Sequence, residues 1–247
     1  MAKEAEERTA LIIGAGDDTG GAIARAFAKE GLHVCITRRP RHADKLEALA
    51  EDIRSSGGKA TAFPSDARDE AAMIALVETI ERDIGPIDVA VFNIGANVRF
   101  SITDTTDRVF RKVWEMACFA GFLMGREVAK RMEPRERGTI IFTGATASVR
   151  GAAGFGAFAS AKHGLRAVAQ SMARELGPKN IHVSHVVIDG AIDSTFIREI
   201  FPDVDQKRAE DAILNPDAIA QNYVMLHHQH RSAWTFELDL RPYKEPW

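Results

Sequence analysis

The run GFGAFASAKHG, residues 154–164, has the small-residue character of a helix start and carries one ionisable group inside it, Lys162. On a helix the residue four positions earlier shares the lysine's face. A proton-transfer site wants a hydroxyl or ionisable side chain there, and this chain has Phe158. Other hydroxyls are near: Ser160 in the same run, and Thr146 and Ser148 in FTGATASVRG. Ser160 is two residues from Phe158 and faces a different side of the helix. Thr146 and Ser148 read as turn hydrogen-bonders, with reach to a substrate as the alternative. Asp189 and Asp193, in DGAIDS, are expected to cap the following helix. His227, His228 and His230 come without cysteine or carboxylate at ligand spacing, so they read as a polar loop, and no metal site is expected. His163, His182 and His185 need only core or surface roles. Tyr223 is expected to pack a helix, and Trp234, Tyr243 and Trp247 to serve packing or subunit contact.

Phosphate binding is the second chemistry that the residue types allow. The stretch GAGDDTGGAIARAFAKEG follows an apolar, strand-like run. Gly14 and Gly16 permit a tight turn and close backbone approach, while Gly20 and Gly21 let a helix press onto a sheet. The N–H groups opening that helix then face a pyrophosphate. The spacing departs from G-x-G-x-x-G, because Thr19 takes the third position and Gly20 follows it. Asp17 and Asp18 either face solvent or cap backbone N–H groups, and both readings stay open. The second strand ends Thr37-Arg38-Arg39, with no carboxylate to accept from a ribose 2′-hydroxyl. Arginines there suit a 2′-phosphate, so NADP(H) is preferred, with NAD(H) the alternative and a solvated basic turn the plainer reading.

What positions these residues is an alternation of elements. Strand-like runs (ALIIGA, HVCITR, KATAFPSD, DVAVFN, GTIIFTG, IHVSHVVID and WTFELDL at 234–240) alternate with helical patterns such as ADKLEALAEDIRSSGG and DEAAMIALVETIERDIG. Gly31, Gly57 with Gly58, Gly85 with Pro86, and Gly177 with Pro178 end helices, and Asn215 with Pro216 begins one. Such alternation implies right-handed crossovers and an α/β fold, a doubly wound parallel sheet in three layers, α/β/α. Residues 1–247 are expected to form a single domain. The chain has 247 residues, 45% hydrophobic, with 32 basic against 35 acidic side chains and a net charge of −3. No basic block points to nucleic acid or an anionic membrane. Cys35 and Cys118 lie in apolar runs and read as reduced thiols of a cytoplasmic protein. The charged opening MAKEAEER is not a signal peptide, and no run is long enough to span a bilayer.

Together these motifs resemble the short-chain dehydrogenase/reductase family over about residues 9–241, with a Rossmann-like fold. Gly14 and Gly20 match the family's phosphate loop, with Asp18 at its middle glycine. Asp66, followed by Ala67, matches the adenine-contacting aspartate. Phe92-Asn93-Ile94-Gly95 keeps half of an N-N-A-G motif, Asn93 and Gly95. Asp189 to Ser194 stands where P-G-x-I-x-T is usual and keeps Gly190 and Ile192. Phe158-Ala159-Ser160-Ala161-Lys162 stands at Y-x-x-x-K. The resemblance also places the family's catalytic serine at Ala145 and its helix asparagine at Cys118. Of the four catalytic positions Lys162 alone is kept, and the resemblance gives it the nicotinamide ribose.

The resemblance therefore implies an NADP(H)-dependent oxidoreductase with a degenerate active site. Its substrate is a small apolar molecule with an activated C=C or a carbonyl. The alternative is a non-catalytic dinucleotide-binding sensor or scaffold. It also implies a homodimer or homotetramer. Residues 194–214 are expected to form a lid whose Phe196, Ile197, Ile200 and Phe201 line an apolar pocket or pack on the core.

Overall fold

The protein's structure is a computed structural model that describes residues 7–200 and 203–245. Phe201, Trp247, the side chains of Phe196 and Ile200, and most of the charged opening run lie outside the described residues.

Seven strands make one sheet: β1 (Thr9–Ile13), β2 (His33–Arg38), β3 (Lys59–Pro64), β4 (Ile87–Phe92), β5 (Gly138–Thr143), β6 (Ile181–Ile188) and β7 (Glu237–Leu240). All pairings are parallel, in the order β3-β2-β1-β4-β5-β6-β7. Both faces are covered, so the strands read as continuous apolar runs whose alternate residues serve opposite layers. Ala10 and Ile12 of β1 join Val34, Ile36, Val89 and Val91 on one face. Leu11 and Ile13 join Ala90, Phe92, Ile140 and Phe142 on the other.

Helices α1 (Thr19–Lys29), α2 (Ala43–Ser55) and α9 (Pro216–His228) cover the first face with Phe27, Leu46, Ile53, Tyr223 and Leu226. Helices α3 (Glu70–Asp83), α5 (Ala120–Met132) and α6 (Gly156–Leu176) cover the second with Met73, Ile80, Leu123, Val128 and Leu165. Each large side chain so buried contributes about 1.5–3 kcal/mol. Helix α4 (Asp107–Trp114) runs into α5 through a π-helical turn, Glu115–Phe119. Two short helices, α7 (Thr195–Ile200) and α8 (Val204–Ala209), occupy the stretch expected to be a lid. Among the described residues no helix is long and apolar enough to cross a membrane.

Caps set the helix starts. Asp69 accepts from the Ala72 N–H at the head of α3, and Asn215 Oδ1 accepts from Asp217 and Ala218 at the head of α9. Because β1 leads to β2 on one side and β4 lies on the other, the chain reverses direction beside β1. A cleft opens there at the strands' C-terminal ends.

Two expectations need correcting. The last strand begins at Glu237 rather than 234. Trp234 instead lies flat on His182 with ring centroids 4.9 Å apart. The Thr235 N–H bonds Gln229 Oε1, and its carbonyl accepts from His182 and Ser184, so side chains take the groups a ladder would use. Of the histidine cluster, His230 lies in a loop, while His227 and His228 close α9. His227 bonds Thr139 Oγ1 at 3.0 Å with its ring edge-on to Phe27, and His228 pairs with Glu30.

Candidate dinucleotide and substrate site

At Gly14 and Gly20 the glycine loop is held by contacts that leave no room for a side chain. Gly14 has φ +89°, and a Cβ there would lie 2.7 Å from the Asn93 carbonyl oxygen. A Cβ on Gly20 would lie 2.3 Å from the Gly14 carbonyl oxygen. Asn93 straps the two strands together: its backbone N–H donates to the Ile13 carbonyl, and its Nδ2 to the Gly14 carbonyl at 3.2 Å. Helix α1 differs from α3 and α9 in having no side-chain cap. Its opening N–H groups, at Thr19 and Gly20, border a cavity and present the positive end of the helix dipole to it.

The two loop aspartates part company. Asp17 turns toward β2, 2.9 Å from Arg38 and 3.5 Å from Lys45. Asp18 reaches across the cleft and accepts from the Thr195 N–H at 3.2 Å, tying the glycine loop to α7. Beyond Asp17 a pocket of about 210 Å³ collects Gly14, Gly16, Arg38, Arg39, Asp66, Ala67, Asn93 and Gly95. The Asp66 carboxylate is already gripped by Arg68 through Nε and Nη2. Arg39 makes no ion pair among the described residues. Partial burial, helped by nearby Arg41 and Arg68 and opposed by Asp66, pushes its pKa down.

The same glycines open on the other side into a cavity of about 640 Å³. Thr19, Gly20, Ala145, Phe158, Lys162, Gly190, Ile192 and Ile197 line it. Lys162 is 2% exposed and donates to the Ile94 carbonyl at 3.1 Å and the Thr143 carbonyl at 2.8 Å. Burial pushes its pKa down to about 8, opposed only by the neighbouring Cys118 thiol. The Phe158 ring centroid lies 5.9 Å from its Nζ. Every residue proposed from sequence for the cofactor therefore borders one of two pockets that share Gly14, Gly16, Asn93 and Gly95.

Cys118 does not border either pocket. It sits on the π-helical turn, buried against α6, where a Cβ on Gly164 would meet its Sγ at 2.9 Å. Burial raises its thiol pKa. Of the hydroxyls, Thr146 borders the cavity but donates to Asp189 Oδ1 at 2.6 Å. Ser148 is fully buried, and its Oγ accepts from the Ala145 N–H. Ser160 bonds the Ala157 carbonyl, away from the cavity.

Neither Asp189 nor Asp193 caps a helix. Ser194 caps α7 by accepting from the Ile197 N–H. Asp193 instead takes Arg198 from α7 and Arg208 from α8, and these guanidinium groups hold its pKa down at about 2. Asp189 is 1% exposed and gathers Thr146, Arg150 and Arg241. Sequence reasoning missed Arg150, Phe155 and Asn97, which also line the cavity. The available signal was a lone arginine among small residues in ASVRGAAG, following the strand that carries the family's serine position.

A short-chain dehydrogenase family model matches residues 8–205. The 2,3-dihydro-2,3-dihydroxybenzoate dehydrogenase of Bacillus subtilis is 29% identical over 212 residues, spanning 86% of this chain and 79% of that one. A crystal structure of a short-chain dehydrogenase from Rhodopseudomonas palustris superposes with a TM-score of 0.82. It is 49% identical and covers 96% of this chain and 99% of its own. A metagenomic short-chain oxidoreductase solved in complex with NADP superposes with a TM-score of 0.80 at 26% identity, covering 95% of this chain and 96% of that one.

Proposed function

The chain belongs to the short-chain dehydrogenase family, and from that premise we propose an NADP(H)-dependent oxidoreductase that reduces an activated C=C bond of a small apolar substrate. The observation that carries this reading is the pair of pockets that share Gly14, Gly16, Asn93 and Gly95 in their walls, with the Lys162 ammonium on the floor of the larger and no hydroxyl beside it at Phe158 or Ala145. Bound, the nicotinamide supplies a hydride. The uncapped N–H groups of α1 hold the pyrophosphate. Lys162, with two of its three donors on backbone carbonyls, offers the third to the ribose. Arg39, with Arg38 once released from Asp17, takes the 2′-phosphate, and Asp66 with Ala67 borders the adenine. The metagenomic relative in complex with NADP supports the same cofactor.

The missing acid decides the reaction type. Carbonyl reduction needs a proton at the forming alkoxide, and losing a positioned donor costs about 10²–10⁴ in rate. Reduction of an enone puts hydride on the β-carbon, and the α-carbon can take its proton from water. Ala145, Ala147, Phe155, Phe158 and Ile192 supply apolar walls for such a molecule. The chain acts as one dinucleotide-binding domain, with residues 194–214 as its lid, and assembles as a cytoplasmic homodimer or homotetramer. Partly exposed Trp114 and Phe122, each stacked on Phe119, support self-association along α4 and α5.

Steady-state NADPH oxidation with enones, enoyl thioesters and ketones tests the proposal. Turnover of the first two above ketones is expected. A second reading, a non-catalytic dinucleotide sensor or scaffold, is favoured by the same empty positions at Phe158 and Ala145. It predicts that NADP⁺ raises the melting temperature while no substrate consumes NADPH. If neither NADP⁺ nor NAD⁺ shifts the melting temperature, both readings fail.

A further inference from the structure

Arg150 is held in a way that ordinary surface arginines are not. Its Nη2 donates to Asp189 Oδ1 at 3.2 Å, the oxygen that also accepts from Thr146 Oγ1 at 2.6 Å. Asp189 is almost completely buried, and Arg241 holds its second oxygen at 3.0 Å. The backbone N–H of Arg150 closes a turn onto the Thr146 carbonyl at 3.1 Å, so both ends of the residue are fixed. A buried carboxylate shared in this way orients the guanidinium before any ligand arrives, which lowers the entropy lost on binding. One of five N–H donors is spent on Asp189. Nε and Nη1 bond nothing among the described residues, and the side chain stays half-exposed on the cavity wall.

The rest of the wall makes those donors conspicuous. Ala147, Ala152, Phe155, Phe158 and Ile197 are apolar. Lys162, the other cation lining the cavity, faces backbone carbonyls at its floor. Asp18, the one carboxylate lining it among the described residues, lies by the glycine loop and accepts from the Thr195 N–H. A second guanidinium, Arg99, stands 5.9 Å from the Phe155 ring centroid and so adds positive charge beside the same wall. Among the described residues nothing anionic opposes the outer face of Arg150 inside the cavity.

We propose that Arg150 is the substrate-recognition residue of this cavity and that the substrate is an acid: an apolar body carrying a carboxylate, which the guanidinium grips while the body lies against the Phe155 and Phe158 walls. The inference rests on the reading of the larger cavity as the substrate site, and narrows its occupant from an apolar molecule to an apolar carboxylate. The pairing is a charge-assisted hydrogen bond with one partner pre-oriented, which is expected to favour an acid over its ester by about tenfold or more.

The test uses 4-oxo-4-phenylbutanoate and its methyl ester, with benzoate and methyl benzoate as a shorter pair. Each is titrated calorimetrically into the full-length protein, alone and saturated with NADP⁺, and into Arg150→Gln and Arg150→Lys. In the wild type the acids bind about tenfold or more tightly than their esters. Arg150→Gln removes that preference and leaves ester and NADP⁺ affinity unchanged, and Arg150→Lys restores part of it. The proposal is overturned if no acid binds more tightly than its ester, if none binds at all, or if Arg150→Gln keeps the preference. NADP⁺ titrated by itself judges the cofactor reading separately: its failure to bind overturns that reading, while the acid–ester contrast in nucleotide-free protein still judges Arg150.

Discussion

Lys162→Met tests the physical state of the lysine on which the cofactor reading depends. Native Lys162 has a pKa of about 8 against 10.5 for the free side chain, because burial penalises the ammonium. At about 1.4 kcal/mol per unit, that difference makes the charged form cost the fold about 3 kcal/mol at pH 7. As pH rises from 8 toward 10.5 the native state releases its proton before the unfolded chain does. The unfolded state then binds more protons, so stability rises with pH and the penalty disappears. Methionine at 162 has no such titration. Its own costs, chiefly the Ile94 and Thr143 carbonyls left without a donor, do not depend on pH.

The stability of wild type minus that of Lys162→Met should therefore climb by about 3 kcal/mol between pH 7 and pH 10.5, steepest above pH 8. Urea denaturation of both proteins at half-unit pH steps measures it, and other lysines and tyrosines cancel in the difference. A flat difference would mean that Lys162 is solvated or paired in solution, and a fall would mean that an anion raises its pKa. Either result refutes the burial argument, and with it the placement of Lys162 on the cavity floor.

Gly20→Ala sets a methyl group 2.3 Å from the Gly14 carbonyl oxygen, which is backbone and cannot swing aside; the thermal shift given by NADP⁺ should fall to near zero, and an undiminished shift would separate the glycine loop from nucleotide binding. Asp17→Asn removes the carboxylate partner of Arg38, so NADPH affinity should rise several-fold with NADH affinity unchanged, measured by fluorescence titration of the reduced forms. Ala145→Ser combined with Phe158→Tyr restores two hydroxyls to the cavity wall, and ketone reduction should rise by about 10²-fold or more over wild type if the pocket lacks only its acid and oxyanion donor.

The sheet was legible because a buried parallel strand announces itself twice, by its apolar run and by the glycine or proline that ends the preceding helix. Gly31 before β2, Gly58 before β3 and Pro86 before β4 did this. The start of β7 was not legible. Residues 234–236 look strand-like, but the stacking of Trp234 on His182 and the bonds at Thr235 were settled by side chains distant in sequence. The site divides in the same way. Gly14 and Gly20 declared themselves through local geometry, since a turn needs a positive φ or a close approach wherever it occurs, whereas Asn93 came only from the family resemblance. Asp189 and Asp193 look like caps in sequence, because an aspartate before a helix usually is one. Their real partners, Arg150, Arg241, Arg198 and Arg208, become neighbours only through the fold.

That distinction bears on how the departures at Phe158, Ala145 and Cys118 are to be understood. A site that has merely decayed should leave buried polar groups without partners, because a lost hydroxyl orphans whatever it bonded. Around these three residues two of the polar groups are satisfied, while His185 Nε2, buried against Gly144, has no partner among the described residues. The Lys162 ammonium has two carbonyls, and the Ala145 N–H has Ser148 Oγ. Cys118 and Phe158 pack with Val113, Ala117, Ala157 and Ala161 in one small apolar cluster. The thiol fits only because residue 164 is glycine, so α6 and the π-helical turn are matched to it. Fit of this kind makes Phe158 part of a packed cluster, so a tyrosine there must place its hydroxyl at the cavity edge without loosening Ala157 and Ala161.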